Sequence, residues 1–205
     1  QIAGAQLNQD DYFFITDLLK NKGRIPKLDF YIETHGGRGE SAEEIVRFLH
    51  EHSEHLTFVV SGEAKSAGTI MVLSGHEIMM TDTGSLGPID AQIQIGRSTI
   101  SAYDYYEWVK EKHKEALEEG TLNPFDAIMI AQINPGELNG VINALNFAQD
   151  LVREWLCEYK FSNWKVTETR GIEVTPEMKR TTAKEIAEIL CNHGRWRSHG
   201  RSIKI

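Results

Sequence analysis

Residues 28–80 read LDFYIETHGGRGESAEEIVRFLHEHSEHLTFVVSGEAKSAGTIMVLSGHEIMM, and the alternation inside this stretch decides the fold. Leu28, Phe30 and Ile32, with Tyr31 between, form a short β-rich run that stops at Gly36-Gly37. Ser41 to His50 has helical spacing with Ile45, Phe48 and Leu49 on one face; Ser41 stands as N-cap, and Glu44 three residues on completes a capping box. Leu56-Thr57-Phe58-Val59-Val60 is a second strand, halted by Ser61-Gly62. Ser66 to Leu73 reads as a short buried helix, Glu77 to Met80 as a third strand, and Thr81 to Gly87 as a turn. Strand, helix, strand, helix, strand at this spacing predicts an α/β domain with a parallel sheet and right-handed crossover helices.

Upstream, Asp10 to Lys20 is expected to be helical, with Phe13, Phe14, Leu18 and Leu19 as its apolar stripe and Asn21-Lys22-Gly23 as its stop. Downstream, Ala102 to Glu119 is a polar helix. The helical repeat of Leu138, Val141, Ile142, Leu145, Ala148, Val152, Trp155 and Leu156 predicts a long amphipathic helix, and Pro176 opens a last one through Leu190. One domain over residues 1–205 is expected, with a helical extension over about 102–191.

The chain has 205 residues, 40% apolar and 25% charged, which suits a folded protein with one core. No apolar run approaches the ~20 residues of a membrane-spanning helix. A net charge of -8 argues against nucleic acid as a partner. The basic tail, Arg195 to Lys204, is too short to reverse that and reads as a solvated or carboxylate-paired segment. Cys157 and Cys191 make neither a disulfide framework nor a zinc site, so a reducing, cytoplasmic compartment is the default expectation. Because the chain opens on Gln, it is expected to be part of a longer one.

Two glycine-containing turns follow two parallel strands, so both reach the sheet edge where α/β proteins bind ligands. Thr34-His35-Gly36-Gly37-Arg38-Gly39 lacks the dinucleotide fingerprint, and Gly62-Glu63-Ala64-Lys65-Ser66-Ala67-Gly68 lacks the Walker glycine before its Lys. The second loop instead offers a serine at a helix start among small neighbours. A nucleophile needs that arrangement, because its hydroxyl stands at a turn, nothing blocks an acyl group, and N–H groups face the developing oxyanion. Ser66 is the candidate nucleophile; the competing reading is an ordinary N-cap serine.

The combination of strand-Gly-Gly-helix with strand-Gly-x-x-x-Ser-Ala-Gly-helix, continued through Gly84-Ser-Leu-Gly-Pro-Ile-Asp90, resembles the Clp protease and crotonase superfamily. The resemblance is strongest to the serine dehydrogenase proteinase family. It implies a Clp/crotonase-like fold, a serine peptidase acting on peptide or protein substrates through an acyl-enzyme, and a homo-oligomer. No cofactor or metal is implied. Gly37 and Ala67 match the oxyanion N–H donors. Clp enzymes carry their catalytic His in the loop after the third strand; here that loop holds Asp90 and Ala91, a departure the serine dehydrogenase proteinase pattern of Ser, Asp and His in chain order accommodates. Asp90 then matches the acid and His199 the base.

Alternatives stand beside this assignment. His193 and His35 are the other imidazoles considered as base, and Asp90 could simply close a turn. A Ser-Lys dyad, as in signal peptide peptidases of the same superfamily, would draw on Lys110, Lys112 or Lys114, but the carboxylates on that helix favour the ammonium. Lys65 adjoins Ser66 in sequence but is not expected to reach it. A catalytically inactive scaffold or peptide-binding protein on the same fold is the reading from another class, and acyl-coenzyme A chemistry is a third. His50, His52 and His55 read as cations suited to a helix C-terminus rather than as metal ligands.

Overall fold

The computed structural model describes residues 6–197 and 201–204, apart from the side chain of His193. Helix α1, Gln9–Leu19, begins with a capping box in which the Asn8 side chain accepts from the Asp10 N–H at 2.7 Å and Asp11 accepts from the Asn8 N–H at 2.9 Å. Strands β1, Ile25–Thr34, and β2, Ser53–Ala64, pair in parallel with Leu28, Phe30 and Ile32 opposite Leu56, Phe58 and Val60. Strand β3, Glu77–Met80, lies along the other edge of β2, and the two-residue β4, Ser85–Leu86, pairs with the end of β2. The expected parallel sheet is therefore present, with β2 at its centre and running four residues further than its apolar run indicates.

One face of the sheet makes the core. Leu56, Phe58 and Val60 are fully buried under α2, Gly39–His52, and α3, Ala67–Leu73, together with Ile45, Val46 and Leu49 of α2. Burying side chains of this size stabilises by about 1.5–3 kcal/mol each. Helix α6, Pro135–Trp155, completes the layer with Ala148, Leu151, Val152 and the fully buried Trp155, and is backed by α7, Pro176–Leu190, through Ala183 and Ala187. A π turn at Leu156–Lys160 closes α6. The other face of the sheet leaves Tyr31 and Met79 exposed at 61% and 55%, in register on either side of Val59. Parallel sheets are usually covered on both faces.

Three local expectations are corrected. Helix α2 starts at Gly39 with Arg38 at the cap, so Ser41 is not the N-cap; it sits inside the first turn, buried, its hydroxyl without a hydrogen-bond partner among the described residues. The chain leaves the Gly36-Gly37 turn straight into the helix, which turns Ser41 towards the core. On α1, Leu19 packs on the core as expected, but Phe13, Phe14 and Leu18 face outwards and Tyr12 and Ile15 pack there instead. His50 is not a cation at a helix end. Its ring stacks on Tyr159 at 3.4 Å, its Nε2 lies 3.0 Å from the Ser74 carbonyl, and burial pushes its pKa down to about 4.

That last shift has a pH consequence. An unfolded His takes up a proton below about 6.5, while folded His50 resists until about 4. Between those values the unfolded state binds more protons, so stability falls as the pH falls through the window. The melting temperature is expected to drop from pH 6.5 to pH 4, and His50→Gln should flatten that part of the curve.

The remaining elements are β5, Gln92–Ile95, and β6, Ser98–Ser101, an antiparallel hairpin turning at Gly96, then α4, Ala102–Glu119, α5, Pro124–Ala131, and α8, His193–Trp196. Among the described residues no helix is long and apolar enough to cross a membrane.

Candidate active site

Ser66 sits on an elbow between β2 and α3. Its backbone is at φ 49°, ψ -116°, and among the described residues only Arg197 is another non-glycine at positive φ. Such a conformation costs about 1–3 kcal/mol and persists only where its surroundings enforce it. They do so here through close approach. A Cβ on Gly36 would lie 2.8 Å from the Ser66 Cβ, and one on Gly68 would lie 2.5 Å from Thr34 Cγ2. The Lys65 N–H donates to the Thr34 carbonyl at 3.0 Å, and the Thr69 hydroxyl, bonded to the Ala64 carbonyl at 2.7 Å, pins the first turn of α3. Ser66 occupies the N-cap position of α3, yet its side chain makes no capping hydrogen bond. The ordinary N-cap explanation of this serine is thereby removed.

The Gly-Gly turn faces the elbow. Gly36 and Gly37 stand at φ 112° and 143°, in the region that favours glycine. Leu7 lies against them as a one-residue parallel bridge: its N–H donates to the Gly36 carbonyl at 2.7 Å, and its carbonyl accepts from the Arg38 N–H at 3.1 Å. A Cβ on Gly37 would overlap the main chain of Leu7.

Ser66, Gly37, Ala67 and Asp90 all line one cavity of about 620 Å³. Ala67 is the first residue of α3, so its N–H has no intrahelical partner. Asp90 is buried and accepts a hydrogen bond from the Ser101 hydroxyl at 2.7 Å, while the preceding residue, Ile89, donates its N–H to the Leu190 carbonyl at 2.9 Å. His35 also lines the cavity, with Nδ1 3.4 Å from a Glu63 carboxylate oxygen. Position 199 and the His193 side chain lie outside the described residues. The three helical lysines do not line the cavity. Lys112 is ion-paired with Asp126 at 2.8 Å and Glu115 at 2.7 Å, hydrogen bonds that raise its pKa, and Lys110 is similarly held by Glu107. An ammonium kept charged in this way is no base at neutral pH.

A family description, ClpP-like SDH-type serine proteinase, matches residues 16–151. The chain belongs to this family. The matched span contains the Gly-Gly turn, the elbow and Asp90, and the α/β architecture is the ClpP-like one. Curated relatives come from Methanocaldococcus jannaschii: MJ1495, 35% identical over 66 residues, which are 32% of this chain and 23% of that protein, and MJ0137, 26% identical over 193 residues, 90% of this chain and 55% of that protein. The chain thus spans about half the length of MJ0137. Among solved structures, two mutant forms of the 1510-N membrane-bound stomatin-specific protease match. One covers 90% of this chain and 74% of its own at 17% identity and TM-score 0.44; the other, in complex with a substrate peptide, covers 89% and 71% at 16% and 0.41.

Within the ClpP-like framework, parts of the cavity wall come from residues that sequence reasoning did not assign to the site. Phe147 and Ala144 of α6 supply an apolar side, beside Ala148 of the helical repeat and with Ile70 and Ile89, and Gln92 and Thr99 of the hairpin supply a polar one. The hairpin had a readable signal in the alternation of Gln92-Ile-Gln-Ile95 and Ser98-Thr-Ile-Ser101 around Gly96. Leu7 had none, since a single bridging residue carries no period.

Proposed function

We propose that the chain is a serine-type peptidase whose nucleophile is Ser66. The observation that carries this reading is the positive-φ elbow: it holds a hydroxyl that caps nothing in the same cavity as the Gly37 turn. The Ser66 Oγ attacks the scissile carbonyl as an imidazole takes its proton. The carbonyl oxygen gains the negative charge, and the Gly37 and Ala67 N–H groups donate to it. The imidazolium returns the proton to the leaving amine, the C–N bond breaks, and the acyl-enzyme remains on Ser66 until water repeats the sequence. Asp90 is the acid of the site, and the apolar wall of Ile70, Ile89 and Phe147 receives the substrate side chain.

His199 is the base in this reading. Support comes from the chain just after it: Leu86 and Ile203 form an antiparallel bridge, which docks segment 201–204 beside the end of β2. A second assignment has its own observation, since His35 shares the cavity and Glu63 could orient it. His199→Asn is expected to lower kcat by at least about 10³-fold and His35→Asn by less than about tenfold, given what loss of a triad imidazole costs. The reverse pattern in peptide hydrolysis would assign the base to His35. Assembly into a homo-oligomer is part of the proposal, and the exposed Tyr31 and Met79 on either side of the half-buried Val59 support it.

A further inference from the structure

Among the buried charges that the mechanism leaves unused is the residue next to the nucleophile. Lys65 is 3% exposed. Its ammonium lies 2.8 Å from the Ser202 hydroxyl, 3.2 Å from the Leu86 carbonyl, 3.3 Å from the Ser85 hydroxyl and 3.4 Å from the Arg201 carbonyl. Three N–H donors are shared among four uncharged oxygens. Among the described residues Glu63, half exposed and 3.8 Å away, is its ion-pair partner. The stem of the lysine runs over Gly87, where a Cβ would lie 2.5 Å from Lys65 Cδ, so the path is built for this side chain.

The oxygens belong to two separate pieces of chain. Ser85 and Leu86 form β4; Arg201 and Ser202 belong to the C-terminal segment. Among the described residues, those pieces are otherwise hydrogen-bonded through a single bridge, the Leu86 N–H to the Ile203 carbonyl at 3.0 Å and the Ile203 N–H to the Leu86 carbonyl at 2.8 Å. Two hydrogen bonds at an edge are a weak hold, because even a full two-stranded ribbon is marginal in water. Charge-assisted bonds from a desolvated ammonium are about twice as strong as neutral ones. Burial draws the Lys65 pKa down, which marks the desolvation that these contacts offset.

We propose that Lys65 is a positioning residue of the peptidase site, whose ammonium locks the C-terminal segment 201–204 onto β4 and ties both to the elbow carrying Ser66. The inference rests on the reading of Ser66 as nucleophile. The side chain of Lys65 holds the strap while its main chain, bonded to Thr34 and to Gly68, sets the elbow, so the two move as one unit. In sequence, His199 stands two residues before Arg201.

The test uses the full chain with Lys65→Met, which keeps the stem and removes the charge. Losing charged hydrogen bonds of this kind is expected to speed hydrogen exchange at the Leu86 and Ile203 amides by roughly 10- to 100-fold and to lower kcat on a fluorogenic peptide by a similar factor, with KM within about threefold. Protection that persists in the variant overturns the proposal, as does a released segment with unchanged kcat. If Lys65→Met does not fold, Ser202→Ala removes only the shortest contact, and a roughly threefold change in both readouts is expected; wild-type behaviour in both overturns the lock. A wild-type chain whose Ser66 does no chemistry would refute the nucleophile reading, and the exchange measurement would still decide whether Lys65 holds the segment.

Discussion

Ser66→Ala is expected to lower peptide hydrolysis by roughly 10⁶-fold, the scale on which removal of a serine nucleophile acts. The same change should leave the melting temperature in place. Alanine keeps the Cβ, so it meets the φ 49° backbone no differently from serine, and the hydroxyl it removes makes no capping bond. A serine that did cap α3 would cost about 1 kcal/mol on truncation, visible as a shift of several degrees in a domain of this size. The pair of readouts therefore separates the two roles of this residue: activity lost with stability kept means a nucleophile, and stability lost means a cap. Kinetics on a fluorogenic peptide and a calorimetric scan of the same preparation measure both.

Gly37→Ala is the second large effect. At φ 143°, with Leu7 against the site of a Cβ, residue 37 cannot carry a side chain unless the turn opens. Under the proposed mechanism, opening it is expected to withdraw the residue 37 N–H from the oxyanion, and losing one such donor costs about 10²–10³ in kcat. The strained backbone and the lost Leu7 bridge add a stability loss of about 1–3 kcal/mol. Gly120→Ala is the control, because Gly120 ends α4 at φ 71° and a Cβ there would meet no heavy atom within 4 Å among the described residues. It carries the same kind of backbone cost far from the cavity, so its melting temperature should fall while kcat is retained. Equal loss of activity in both variants would make the effect of Gly37→Ala one of stability alone.

Much of this arrangement was legible in the residues. The apolar runs Leu28–Ile32 and Leu56–Val60, each ended by a glycine stop with a helical stretch between them, were enough for a parallel sheet, and the spacing from the Gly-Gly turn to Ser66 was enough to bring both to one edge. What stayed illegible depends on tertiary contact. The outward turn of Phe13, Phe14 and Leu18 is decided by which side of α1 meets α2, which an apolar tally on one helix does not encode. Ser41 has the composition of an N-cap, but the tight turn before it moves the helix start to Gly39. His50 has the position of a helix-end cation, but burial pushes its pKa down to about 4, and the ring stacked on it, Tyr159, lies more than 100 residues away in sequence. Lys65 read as a neighbour of the nucleophile not expected to reach it; two of the groups it does reach, Arg201 and Ser202, lie near the other end of the chain.

The central claim is that the Ser66 hydroxyl is the reacting atom, and covalent trapping addresses it most directly. The full chain is treated with a fluorophosphonate and the adduct is located by peptide mass spectrometry. A single phosphonylated residue at Ser66, absent from the Ser66→Ala variant, is the expected result; an adduct on another side chain, or a folded protein that stays unlabelled, would contradict it.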